Sequence, residues 1–332
     1  MQEQFIKSLK EKSQNNTSFV DEIADVLDIG YDAAYRRINL KTNLSLEESV
    51  ALARHFKVSL NKLFEVGNQN TILAELPPQP KNVIALDHWL KASLHNVQTL
   101  SMVNGAEMFY SAKDIPLFHT LNDSALTRYK MYVWLKDINE EMARSKISFD
   151  EWKESIPQSL LDTAFQVSDT YEKVNITEIW NETTLTGTLQ QILYYFEAGL
   201  VKTETALEIC QDISNIVHKI EQQTIQQSLS ASKNDHFYHL YRCDLHTLHN
   251  TIMVCSKYGK VFFQPFTVLS YFKVTHTETC ELMYDFFQKM MSNSKLLANA
   301  GERDRTLFFN KIHSKIDITK QRILMDDKMS FL

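Results

Sequence analysis

Three of the chain's six prolines stand within four residues, at Pro77, Pro78 and Pro80, and on both sides of them apolar residues recur at helical spacing. A proline fixes its own φ and drives the preceding residue toward extended geometry, so no helix runs through this stretch. With Gly67 and Asn68 just before it, the segment 67–82 is predicted to be a semi-rigid spacer between a domain over 1–66 and a larger one over 83–332. Elsewhere chain breakers are scarce. Gly and Pro together number 13 of 332 residues, too few for a loop-rich β sandwich, and the expected class is mainly α. A chain of this length buries roughly three quarters of its unfolded surface, enough for a core without disulfides or structural metal.

Five short helical patterns precede the spacer. The first, over 2–13, repeats Phe5, Ile6 and Leu9, and a polar break over 14–17 follows it. The second, over 18–27, places Val20, Ile23, Ala24 and Leu27 at i, i+3, i+4 and i+7, the stripe of a half-buried helix. A turn at Asp28, Ile29 and Gly30 leads into a third helix over 31–39. Ser45 and Glu48 form an S-x-x-E capping box that opens a fourth. There Leu46, Val50, Ala53 and Phe56 are expected to face inward. Ser59 caps a last short helix ending at Leu63 and Phe64.

Helix, three-residue turn, helix, packed on three further short helices, is the arrangement of a helix-turn-helix reader. The stretch 18–64 resembles the Cro/phage-repressor (XRE) family of DNA-binding domains. The resemblance rests on Ile23 and Ala24 in the second helix, Ile29 closing the turn, Arg36 and Arg37 in the third, and Ser45, Leu46 and Glu47 opening the fourth. The ending Ala53, Phe56, Val58, Ser59, Leu60, Leu63, Phe64 also matches. The run Ala34-Tyr35-Arg36-Arg37-Ile38 is similar to a variant seen in Bacteroidota regulators. The family implies a five-helix DNA reader whose third helix enters the major groove of double-stranded DNA. On that basis Ala34 and Ile38 pack inward, and Tyr31, Asp32, Tyr35 and Arg36 are left for the bases and sugars. Arg36 suits a bidentate guanine contact, Asp32 could accept from cytosine, and Tyr35 suits a sugar or a thymine methyl. Arg37 and Lys41 are expected at phosphates.

The chain departs from the family in three places. Val20 stands where a Gln often braces the backbone contact, Asp28 replaces a Gly usual in the turn, and Leu40 and Lys41 occupy the region of a second usual Gly. Residues 1–66 carry nine basic and ten acidic side chains, so the domain lacks the overall positive field that drives nonspecific DNA affinity. A helical packing module that no longer binds DNA is the alternative.

Beyond the spacer, helices are expected over 83–104, 123–138, parts of 149–172, 176–199, 203–229, 277–292 and 303–325, with Pro157 ending or kinking one of them. Residues 107–111 read as a short strand. Residues 251–255 and 261–274 are β-branched and aromatic and are joined by 257–260, which reads as a hairpin, with Pro265 weakening its second strand. The larger domain is therefore expected to be α+β, mostly helical with a small antiparallel sheet.

Other chemistry is thinly signalled. His236, His239, Cys243, His246 and His249 are dense enough to raise the question of a metal, but four ligands from one segment rarely converge on a tetrahedral ion, and no metal or other cofactor is expected. The runs Tyr194-Tyr195-Phe196, Phe262-Phe263 and Phe308-Phe309 fit core positions better than a ligand pocket. Nucleophile-elbow, phosphate-loop, zincin and dinucleotide motifs are absent, which gives no reason to expect an enzyme. No run of about 18 apolar residues suggests a membrane span, and the opening residues lack a signal peptide's apolar core. Cys210, Cys243, Cys255 and Cys280 form no C-x-x-C pair, so a reducing cytoplasm is the expected location. The combined expectation is a bacterial transcription regulator. It would be a homodimer whose larger domain dimerises and senses a small-molecule or protein effector. The runner-up is an interaction scaffold.

Overall fold

The computed structural model describes residues 1–13, 18–64, 71–229, 236–298 and 301–329. The chain divides into two compact units, Met1–Leu73 and Ala74–Leu332.

The first unit holds α1 (Gln2–Lys12), α2 (Phe19–Leu27), α3 (Tyr31–Ile38), α4 (Leu46–His55) and α5 (Leu60–Phe64). Its core gathers Phe5, Ile6 and Leu9 from α1, Ile23 from α2, Ala34 from α3, and Leu52, Ala53 and Phe56 from the end of α4. Ser45 caps α4 as its sequence implies: its hydroxyl accepts from the Glu48 N–H, and the Glu48 carboxylate accepts from the Ser45 N–H. Two inward assignments fail: Leu46 is 74% exposed and Val50 is half-buried outside the core cluster, while Leu52 fills the core. Leu46 is the first residue of α4 after its Ser45 cap.

The second unit is built on an eight-stranded mixed sheet, not the small antiparallel sheet that the sequence suggests. In chain order its elements begin with β1 (Ala74–Glu75), α6 (Val83–Ser101), β2 (Glu107–Ser111), α7 (Leu117–Thr120), α8 (Ala125–Ile138), α9 (Glu140–Arg144), α10 (Phe149–Trp152) and α11 (Gln158–Tyr171). Then follow β3 (Asn175–Trp180), α12 (Thr186–Glu197), α13 (Thr203–Gln226), β4 (Tyr238–Arg242), β5 (Thr251–Ser256), β6 (Gly259–Thr267) and β7 (Ser270–Val274). The unit closes with α14 (Thr277–Ser292), β8 (Lys295–Leu296) and α15 (Gly301–Met329). The strand order is β1-β7-β6-β5-β2-β3-β4-β8. The pairs β2–β3 and β3–β4 are parallel, and the flanking pairs are antiparallel.

Three expectations change in consequence. The helix expected over 176–199 starts only at Thr186, because Asn175–Trp180 is the strand β3, buried along nearly its whole length between β2 and β4. The strand expected over 261–274 is two strands, β6 and β7, with a register shift beside Pro265. The expected spacer is not wholly free: Ala74 and Glu75 pair with Val274 and Lys273 at the sheet edge. The Gln79 side-chain amide donates to Thr267 Oγ1 at 3.1 Å and to the Val268 carbonyl at 2.8 Å. Pro157 separates α10 from α11, as proline geometry requires.

Strand alternation sorts the core into two clusters. Met108, Tyr110, Ile176, Trp180, Tyr238 and Leu240 face a thick helical layer that includes α6, α8, α11, α13 and α15. Phe109, Ile179, Met253, Phe262 and Val274 face Cys280, Phe287 and Met290 of α14. Among the described residues no helix is long and apolar enough to cross a membrane.

Candidate nucleic-acid interface

The joint between α2 and α3 is set by backbone conformation. Asp28 takes the left-handed conformation at φ 53°, and the Ile29 N–H donates to the Ala24 carbonyl at 3.0 Å, ending α2 abruptly. Gly30 then opens α3 in extended geometry. Leu40 is also left-handed, at φ 60°. The two regions where the resembled family uses glycine thus each hold a left-handed non-glycine residue.

Ala34 has no solvent exposure and Ile38 is half-buried, so one face of α3 is held against the core. The opposite face carries Tyr31, Asp32, Tyr35 and Arg36, all exposed. Tyr31 and Tyr35 stack one turn apart, with ring centroids 6.5 Å apart and planes at 15°. Their mutual support gives this face a flat aromatic ridge. The side chains of Asp32, Arg36 and Lys41 make no hydrogen bond or ion pair among the described residues. Arg36 and Lys41 therefore leave their donors to solvent.

Arg37 has a different place. Its Nε and Nη2 donate to the two carboxylate oxygens of Glu48 at 3.0 and 2.7 Å, and its Nη1 donates to the Ala33 carbonyl at 3.2 Å. Hydrogen bonding to Arg37 holds the Glu48 carboxyl below its ordinary range, and the bond to Glu48 raises the Arg37 guanidinium. A planar fork bound at both oxygens is committed. Arg37 thus fastens α3 to α4, where the sequence suggested a phosphate contact. Gln2 was not singled out in the sequence. Its amide donates to the Arg37 and Thr42 carbonyls, each at 3.0 Å, and accepts from the Leu44 N–H at 3.1 Å. It fixes the loop bearing Lys41 from the start of α1. Only the capping box hinted at Glu48, and nothing local marked Gln2, because both act across the tertiary fold.

The second unit contains a buried polar node. Glu178 has no solvent exposure, and its carboxylate accepts from Tyr171 Oη at 2.7 Å, Trp180 Nε1 at 2.9 Å and Tyr238 Oη at 2.9 Å, with His119 Nε2 at 2.7 Å. Four partners from three sequence regions occupy both oxygens, an arrangement that holds a core together. The histidines considered for metal are dispersed. His239 stacks on Phe237, His246 packs on Phe286, and Cys243 lies in the apolar cluster under α14. Among the described residues no three His, Cys, Asp or Glu side chains converge on a metal position.

No protein family, curated protein or solved structure matches this chain.

Proposed function

We propose that this protein is a sequence-specific DNA-binding transcription regulator, reading the major groove with α3 and carrying in its second unit a sensing and dimerising domain. The observation that carries the reading is the division of α3 into two faces. Ala34 and Ile38 anchor it, while Tyr31, Asp32, Tyr35 and Arg36 stand exposed, Arg36 without a partner. A short helix seated this way after a tight turn fits the width of a major groove. Arg36 then reads guanine, Tyr35 lies on sugar or a thymine methyl, and Lys41 meets phosphate. As a homodimer the protein would present two copies of α3 about 34 Å apart on a near-palindromic site.

The balanced charge of the first 66 residues and the exposed tyrosine pair favour a second reading, an interaction scaffold that engages protein through the same face. Selection from a random duplex pool with the full chain separates the two. An enriched, roughly palindromic motif, lost on Arg36→Ala, supports the regulator. Binding that is absent even at low salt supports the scaffold.

A further inference from the structure

The second unit has a cleft of about 610 Å³, within the range of small-molecule sites. One wall is a single face of α8, where Lys130, Val133, Trp134 and Asp137 stand at i, i+3, i+4 and i+7 and extend about 10 Å along the helix. The lining also includes Tyr194 and Tyr195 of α12, where Tyr195 packs edge-on against Tyr132 of α8, and Phe266 near the end of β6.

The charges in this lining are unevenly matched. Lys130 is buried, and its ammonium donates to Thr188 Oγ1 at 2.5 Å and lies 3.4 Å from Asp114 Oδ2. The same Asp114 carboxylate accepts from Thr188 Oγ1. The inner end of the cleft is therefore neutral overall and rich in hydrogen-bonding groups. Asp137, two turns away and exposed, makes no ion pair or hydrogen bond among the described residues. Burial, then Tyr194, then the charge of Asp137 raise the Tyr195 hydroxyl above its ordinary value. The cleft lining thus holds one negative charge without an ion-pair partner among the described residues, on the exposed Asp137, one turn along α8 from Trp134, and the lining also includes Tyr194, which is 67% exposed. An ammonium gains from a carboxylate and from aromatic faces together, and an anion loses on both counts.

We propose that this cleft binds an arylalkylamine, its ammonium at Asp137 among Trp134 and Tyr194, and a ring hydroxyl or similar polar group at the Lys130–Asp114 end. The flat body of such a molecule would lie against apolar lining residues such as Val133, Leu117 and Phe266. The inference does not require that the first unit bind DNA.

Calorimetric titration of the full chain tests it with three probes that share one ring: tyramine, 4-ethylphenol and 4-hydroxyphenylacetate. Tyramine should bind with the highest affinity, and the acid should bind at least about tenfold more weakly. Asp137→Asn, an exposed change that leaves the fold intact by circular dichroism, should erase the advantage of tyramine over 4-ethylphenol. Trp134→Leu should weaken tyramine most. Equal or tighter binding of the acid overturns the proposal, as does an undiminished preference for tyramine in Asp137→Asn. So does the absence of saturable tyramine binding at millimolar concentration. All three readouts use protein without DNA, so their failure leaves the DNA-reading proposal standing.

Discussion

His119 Nε2 lies 2.7 Å from Glu178 Oε1, joining the short helix α7 to the middle of β3 inside the second unit. Burial by itself pushes the Glu178 carboxyl up. The charge of His119 and hydrogen bonds from His119, Tyr171 and Tyr238 outweigh burial and hold it below the ordinary carboxylate range. A carboxyl lowered on folding stabilises the protein above its unfolded value, about 4.3, and that contribution fades as pH falls through the lower folded value. Thermal melting should therefore move downward as pH drops below about 4.3. Glu178→Gln should cost about 3 kcal/mol at pH 7, because it strips the charge from four committed partners, and should flatten the acid limb. Full stability of that variant in urea at pH 7 would show the node to be dispensable.

Arg37 and Glu48 should behave as one unit in folding. Both side chains are about four-fifths covered, at 18% and 21% exposure, and they meet at two oxygens. A double-mutant cycle with Arg37→Met and Glu48→Gln should return a coupling of about 1 kcal/mol in denaturant unfolding. Arg36→Ala should leave stability unchanged, and a loss as large as that of Arg37→Met would reverse the roles assigned to the two arginines.

Leu40 holds φ 60° with its side chain 46% exposed, so it is strained and contributes little packing. Leu40→Gly should raise the unfolding free energy by up to about 1 kcal/mol, the left-handed penalty relieved minus the entropy glycine adds to the unfolded chain. A drop in the urea midpoint would mean that the leucine packs more than its exposure implies.

Lys41 stands free on the loop that Gln2 fixes. If α3 reads DNA, Lys41→Ala should weaken binding to all sequences alike and reduce the slope of log K against log salt by about 1. Gln2→Ala should weaken binding in the same uniform way by loosening that loop, with the salt slope kept. Fluorescence anisotropy at several salt concentrations distinguishes the two, and a sequence-selective effect of Lys41→Ala would place it at a base.

The first unit was legible because its signals are local. Val20, Ile23 and Leu27 repeat within one helix, Asp28 to Gly30 break it, and the Ser45–Glu48 cap is complete within four residues. Such features act over one or two turns, and tertiary packing only reinforces them. The exposed set on α3 followed from the resemblance, which placed Ala34 and Ile38 inward. Arg37 did not follow, because its commitment depends on α4 arriving beside it.

In the second unit the helices over 83–101 and 203–226 and the strands around 251–274 followed from periodicity and from β-branched and aromatic content. The strand Asn175–Trp180 did not: six residues that include Asn175, Thr177 and Glu178 do not announce a central buried strand. It is a strand because β2 and β4, about 65 residues away on either side, pair with it in parallel. The sequence by itself determined helices whose apolar stripe is continuous, such as those over 83–101 and 203–226, since hydrogen bonds within a helix close between residues four apart. Tertiary structure decided that Glu178 could be buried as a charge. Only the completed fold brings His119, Tyr171 and Tyr238 close enough to replace the water that an isolated carboxylate would keep.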